Sequence, residues 1–255
     1  VGPGAPTEVV GTEVIAVTSA PQGGMADMVS VPVTALWPAG PGMSPAKAAA
    51  LPVVYQTGWF GLYRRAHLEA GETLLVHAGA GGVGSAAIQL GKAAGARVIA
   101  TAGGPEKVNV CRSLGADVAV DYLAGDFVDV VKAETRGRGA DVIYDPVGGD
   151  VFDRSRSCIA WEGRLVVIGF TSGRIPEAPA NHVLLKNYAV VGLHWGQYIR
   201  RHPDLVARAH ADLLDLFAQG RIDPLVSAEY PMEAAPAALE RLGNRATWGK
   251  VVIRP

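Results

Sequence analysis

His77-Ala78-Gly79-Ala80-Gly81-Gly82-Val83-Gly84 is the stretch of this chain whose residue types most clearly serve chemistry. It follows a short apolar run, residues 73–77. It opens a segment in which Val83, Ala86, Ala87, Leu90 and Ala94 recur at helical spacing, closed by Gly95. Read as A-x-x-G-x-x-G, its key positions are Ala78, Gly81 and Gly84. Small residues there let the backbone approach a pyrophosphate, and a helix N-terminus offers unpaired N–H groups and the positive end of a dipole. Gly84 lets the helix pack tightly on the strand. A glycine-rich turn that binds nothing has the same composition; the strand–turn–helix setting argues against that reading. Ala80, Gly81, Gly82 and Val83 are therefore expected to cradle a dinucleotide.

The end of the next strand bears on which dinucleotide. An NAD site usually carries Asp or Glu about 20 residues past the turn, to hold the ribose 2′-OH. Here the chain reads Ile99-Ala100-Thr101-Ala102-Gly103-Gly104-Pro105-Glu106-Lys107, with no acid at the strand end. The open Gly103-Gly104 turn and Lys107 suit a 2′-phosphate, so NADPH is expected in preference to NADH. Lys107 reads equally well as a solvated helix lysine. Three further loops follow strands: Asp145-Pro146-Val147-Gly148-Gly149, Ile168-Gly169-Phe170 and Leu193-His194-Trp195-Gly196. Val147, Gly148, Gly169, Phe170, Leu193, His194 and Trp195 are expected to converge on the nicotinamide half, with Phe170 and Trp195 as hydrophobic wall.

The elements that must position these loops alternate strand and helix. Strands are expected at residues 73–77, 97–101, 117–120, 141–145, 164–168 and 188–193. Helices are expected at 105–114 and 126–135, and from 150 onward. That alternation predicts an α/β fold with a doubly wound parallel sheet of six strands. The last strand is placed at a sheet edge, free to pair with a second copy. The first fifty residues differ, with β-like runs at 13–17 and 28–33 and a helix at 45–50 capped by Ser44. A long helix at 203–219, a shorter one at 232–242 and a strand at 250–253 return to that first lobe.

Composition sets the outer bounds. The chain has 255 residues, 49% hydrophobic and 18% charged, with a formal net charge of −1. It can bury a core, and its balanced charge offers nothing general to nucleic acid or an anionic membrane. Two cysteines cannot build a disulfide framework or a Cys-rich zinc site. With no long apolar run and no basic–apolar leader, a cytoplasmic protein is expected.

Five motifs, in order, resemble the medium-chain dehydrogenase/reductase superfamily: Leu51-Pro52-Val53-Val54-Tyr55-Gln56-Thr57; the 78–84 turn; Asp145-Pro146-Val147-Gly148-Gly149; Gly163-Arg164-Leu165-Val166-Val167-Ile168-Gly169-Phe170; and Gly249-Lys250-Val251-Val252-Ile253. Within it the chain is most similar to the zinc-free NADPH:quinone oxidoreductase, ζ-crystallin-like branch. The resemblance implies a Rossmann domain at 53–221 and a partial GroES-like β lobe at 1–52 and 222–255, with the cofactor in the cleft between. It places Thr57 on the nicotinamide side, Tyr122 near the adenosine phosphate and Lys107 at the 2′-phosphate, and it implies a homodimer. Family members have a longer N-terminal lobe. Val1-Gly2-Pro3-Gly4 resembles a segment deep inside it, so much of that lobe is expected to lie outside this chain, including tyrosines beside the substrate.

The chemistry then expected is hydride transfer to a quinone or an activated enone, with no metal ligand. Residues 51–57 contain no cysteine where zinc alcohol dehydrogenases supply one. Cys111 and Cys158 are read as buried, inert thiols within helices. His202 and His210, eight apart, are read as surface residues. Solvent can protonate the product, so no obligate acid is required. Thr57, His194 and Arg245 are weak catalytic candidates, the last two also readable as a polar loop residue and a solvated charge. Two alternatives remain: an enone or enoyl-thioester reductase, for which Arg200-Arg201 is the only nearby basic patch, and a non-catalytic, crystallin-like NADPH-binding protein.

Overall fold

A computed structural model describes residues 1–2, 5–18 and 23–255. Pro3 and Gly4, part of the N-terminal run compared above, lie outside the described residues. In chain order the first elements are β1 (Val14–Ala16), β2 (Leu36–Pro38), α1 (Pro45–Ala50) and α2 (Pro52–Gly58), which continues as a π-helix over Trp59–Arg65. Then come β3 (Thr73–Val76), α3 (Gly82–Ala93), β4 (Arg97–Ala102), α4 (Pro105–Ser113), β5 (Val118–Asp121) and α5 (Phe127–Glu134). They are followed by β6 (Ala140–Asp145), α6 (Gly149–Ser155), β7 (Ile159–Val167), α7 (Ala180–Lys186) and β8 (Ala189–Gly192). The chain ends with α8 (Trp195–Arg201), α9 (Pro203–Ala218), β9 (Val226–Pro231), α10 (Ala235–Gly243) and β10 (Lys250–Arg254).

Two compact units form, Thr57–His194 and the pair of segments Val1–Gln56 and Trp195–Pro255. The first boundary lies four residues later than expected. The second lies 27 residues earlier than the resemblance implies, so residues 195–221 belong with the N-terminal segment, as expected of the helix at 203–219. Packing explains the shift. Leu214 of α9 lies against Gly40, where a Cβ would approach it to 3.0 Å, and the His210 ring stacks on Trp37 at 5.6 Å.

The unit Thr57–His194 holds the six-stranded sheet, ordered β5-β4-β3-β6-β7-β8 and parallel throughout. Its central strands, Thr-Leu-Leu-Val in β3 and Ala-Asp-Val-Ile-Tyr-Asp in β6, are almost wholly buried, as strands covered on both faces must be. Leu75, Ile99, Ile143 and Leu165 pack on one face with Phe127 and Val131 of α5 and Phe152 of α6. Helix α3 is rich in small residues because it lies close to the sheet: a Cβ on Gly91 would stand 2.5 Å from Leu74. The Asp126 carboxylate caps α5 by accepting the Val128 N–H at 2.8 Å. Among the described residues, edge strand β8 pairs only with β7.

In the other unit, β1 pairs antiparallel with β2, and β9 runs parallel to β10. Ser44 caps α1 as expected. The run 28–33 is not a strand. It is exposed and irregular, Pro32 precedes a 3-10 turn, and the partner of β1 is β2, which brings Trp37 opposite Ile15. His210 is buried rather than at the surface. Its Nε2–H donates to the Pro38 carbonyl at 2.9 Å, and burial lowers its pKa, while His202 is exposed. Cys158 is buried but lies outside α6, in the turn before β7. β7 starts at Ile159, five residues before the expected start, because Ile159 pairs with Ala140 across a register shift.

Tyr144, near the end of β6, is fully buried with its hydroxyl unpartnered, and burial raises its pKa. An unpaired buried hydroxyl costs about 1–3 kcal/mol. Tyr144→Phe is therefore expected to leave stability unchanged or raise it by about 1 kcal/mol, as read by urea unfolding.

Candidate dinucleotide site

Between β3 and β6 the sheet order reverses, and in such sheets a crevice opens outside the carboxyl ends at that point. The loop leaving β3 is the glycine turn. Ala78 adopts a left-handed φ of 50°, and its carbonyl accepts the Gly81 N–H at 2.9 Å. A Cβ on Gly84 would stand 2.2 Å from that same carbonyl oxygen, so no other residue fits there. Gly81 is the N-cap of α3, and its carbonyl accepts the Ser85 N–H. The N–H groups of Gly82, Val83 and Gly84 are the first of a helix and point out of its end without an intrahelical acceptor. No acidic residue occupies the first turn. An anionic diphosphate fits this cradle by dipole, donors and space.

Beyond β4, Gly103 and Tyr122 come together. A Cβ on Gly103 would lie 2.6 Å from the Tyr122 hydroxyl, so the half-exposed ring covers the glycine. Asp121, at the end of β5, holds this corner by accepting the N–H groups of Gly104 and Leu123 at 2.9 and 3.0 Å. Lys107 sits half-buried on the first turn of α4, on the same side of the sheet.

The loops after β6 and β7 form one rim. Asp145 is buried, and its Oδ1 accepts the N–H groups of Val147 and Gly148 at 2.8 and 3.0 Å. Burial raises its pKa, against those two hydrogen bonds. Gly148, at φ 67° and ψ −156°, adopts a backbone essentially reserved for glycine. Phe170 covers it, 2.9 Å from where a Cβ would lie, and Gly169 faces Pro146. The N–H groups of Thr171 and Ser172 donate to the carbonyls of Pro146 and Val147. Leu193 donates its N–H to Val167, and its side chain lies beside Gly61.

Thr57 is buried on α2, and His194 is exposed just past β8. Trp195 and Arg245 belong to the other compact unit. Trp195 opens α8 there and donates its indole N–H to Gln56 at 3.1 Å; Arg245 occupies an exposed left-handed position after α10. Among the described residues no three His, Cys, Asp or Glu side chains gather in a group able to hold a metal.

Sequence reasoning left three organising residues without a role: His77, Asp121 and Asp145. The two aspartates carry a readable signal, an acid followed at once by a tight turn. His77 had none. Buried beneath the glycine turn, it bonds Thr101 Oγ1 of β4 at 3.1 Å through Nδ1 and Ser155 Oγ of α6 at 2.8 Å through Nε2. Because Ser155 already donates to the Val151 carbonyl, the imidazole carries its proton on Nε2 and accepts from Thr101.

Three comparisons with known proteins bear on this arrangement. The family described as zinc-binding dehydrogenase matches residues 82–211. Quinone oxidoreductase-like protein 2 homolog from Nematostella vectensis is 40% identical over 91% of this chain and 64% of its own length. The chain thus spans less than two thirds of that curated relative. The quinone oxidoreductase from Thermus thermophilus, solved alone and with NADPH, is 36% identical, with a TM-score of 0.85 over 97% of this chain and 78% of its own. A mycobacterial protein solved with NADPH is 28% identical, with a TM-score of 0.91 over all of this chain and 79% of its own.

Fold and loops together define a doubly wound, Rossmann-type protein of the medium-chain dehydrogenase/reductase superfamily. The chain belongs to the zinc-binding dehydrogenase family and is similar to its quinone oxidoreductases.

Burial lowers the pKa of His77 to about 3. The unfolded chain protonates this residue below about pH 6.5, and the folded chain does so only near pH 3. Stability is therefore expected to fall with decreasing pH in that window by up to about 1.4 kcal/mol per pH unit. Urea titrations of the parent and of His77→Gln between pH 7 and 4 check this: the variant starts less stable and has a shallower slope.

Proposed function

We propose that this chain is an NADPH-dependent oxidoreductase that reduces a quinone, or a related activated carbonyl or alkene, without zinc. The observation that carries the reading is the Gly81–Gly84 approach to the Ala78 carbonyl at the switch point of the sheet, with helix N–H groups facing outward. The NADPH complexes of the two solved relatives support the choice of cofactor.

In this reading Ala80, Gly81, Gly82 and Val83 hold the pyrophosphate. Gly103 and Tyr122 bound the adenosine side, and Lys107 neutralises the 2′-phosphate. Asp121 holds the corner beneath them through its Oδ1, which accepts two backbone N–H groups. Thr57, Val147, Gly148, Gly169, Phe170, Leu193 and His194 line the nicotinamide end, and their apolar atoms exclude water. When bound, the reduced nicotinamide supplies a hydride to the acceptor. Solvent protonates the product, so neither His194 nor Arg245 is required as an acid.

Burial pushes both Cys111 and Cys158 up to about 12, so at neutral pH both are protonated, unreactive thiols. Both cysteines are free, which fits a reducing, cytoplasmic setting. No helix of the described residues is long and apolar enough to cross a membrane. The unpaired edge of β8, with Leu184, Leu185 and Val190 exposed beside it, suits pairing with a second copy as a homodimer.

The test is NADPH oxidation by the purified chain with an ortho-quinone and a simple enone in parallel, and NADH as control. The expected outcome is faster turnover of the quinone and a preference for NADPH. A faster enone reaction replaces the quinone reading with that of a double-bond reductase. Lys107→Ala is expected to weaken NADPH binding about tenfold while leaving NADH unchanged, as measured by fluorescence titration. Equal loss for both cofactors removes Lys107 from the 2′-phosphate.

A further inference from the structure

At the other end of the sheet, beside the first residues of β6 and β7, the unit Thr57–His194 contains a cavity of about 220 Å³. Its rim carries Lys132 of α5, Arg138, Ser157, Cys158, Trp161 and Lys186 of α7. No carboxylate lines it. The six residues of β6 separate it from the dinucleotide loops by about 20 Å.

The lining is rich in donors and poor in acceptors. Lys186 is held in place by donating to the carbonyls of Arg156 at 3.0 Å and Ser157 at 3.4 Å, which neutralise none of its charge. Arg138 is partly satisfied by Asp141 and donates also to Thr73. The Lys132 ammonium, the Ser157 hydroxyl and the Trp161 indole N–H make no hydrogen bond among the described residues. Burial lowers the pKa of Lys186, the neighbouring Cys158 opposes that, and the Lys132 charge adds to it, so the two ammonium groups repel each other across a cavity that no carboxylate lines. Two unneutralised cations around one cavity are stabilised by an anion that bridges them. The indole, 62% exposed, adds a flat apolar wall with one free donor. The Cys158 thiol stays protonated at neutral pH, so the cavity is built for binding rather than covalent chemistry.

We propose that this cavity is a second ligand site, separate from the dinucleotide loops, that binds a small phosphate monoester. The phosphate bridges Lys132 and Lys186, and the organic group lies against Trp161.

Phenyl phosphate is the probe, titrated into the 255-residue chain with and without saturating NADPH. Ionic strength is held constant with chloride, and the melting temperature and tryptophan fluorescence are read. The expected result is a saturable rise in melting temperature that persists with NADPH present. Lys132→Gln, at an exposed position, is expected to melt like the parent in chloride yet bind phenyl phosphate about tenfold more weakly. Trp161→Leu is expected to abolish the fluorescence response. Three outcomes overturn the proposal: a rise that NADPH abolishes, which puts the probe in the dinucleotide loops; a rise that chloride alone reproduces, which is screening; or unchanged affinity in Lys132→Gln. The last arm holds whether or not the chain binds NADPH.

Discussion

A single close approach organises the sheet's carboxyl end: the backbone at Gly84 lies so near the Ala78 carbonyl that a methyl group would overlap it. That approach sets the start of α3 against β3 and so aims the helix's first N–H groups over the strand end. Gly91, further along α3, repeats the requirement against Leu74. A helix of larger residues would stand off from the sheet, and its N-terminal donors would miss whatever lies above the crevice. The buried glycines cost backbone entropy, and close packing offsets it.

The neighbouring loops depend on polar side chains that satisfy the backbone of their turns. Asp121 and Asp145 each accept two backbone N–H groups of a turn that has no strand partner to satisfy them. His77 extends the same logic between elements. Its two ring nitrogens join β4, which leads to the Gly103 corner, with α6, which leaves the Gly148 corner. An imidazole can do this only while neutral, since one nitrogen must accept, and full burial keeps it so. The rigid parts of the rim are thus fixed from beneath, while Tyr122 and Phe170, both exposed, cover it from above.

The two ends of the sheet differ in electrostatic design. At the carboxyl end, positive potential comes from backbone N–H groups at a helix start, with carboxylates tucked below as structural acceptors. At the amino end it comes from the ammonium groups of Lys132 and Lys186, the latter held by two backbone carbonyls. Backbone donors select geometry, because they cannot move; lysines respond to charge and adapt to shape. Fixed donors at the carboxyl end match the extended cofactor proposed there, and adaptable lysines at the amino end match the smaller anion proposed there.

The strand–helix alternation, the glycine turn and its place after the first strand of the sheet were legible in the amino-acid sequence, because each rests on local rules. Small residues at fixed spacing permit a close turn, and runs of Val, Ile, Leu and Ala bounded by Gly make buried parallel strands. The Ser44 cap and the edge position of β8 were legible for the same reason. What stayed hidden depends on residues far apart in the chain. Residues 28–33 have strand-like composition, but residues 36–38 occupy the place beside β1. His210 reads as a surface residue, but the fold stacks it on Trp37 and bonds it to the Pro38 carbonyl. His77 looked like one more histidine, and only the fold brought Thr101 and Ser155 to its two nitrogens. Sequence alone determined which segments could build the sheet and its turn. Tertiary structure decided which buried polar atoms meet, because a hydrogen bond between distant residues leaves no periodic trace in the chain.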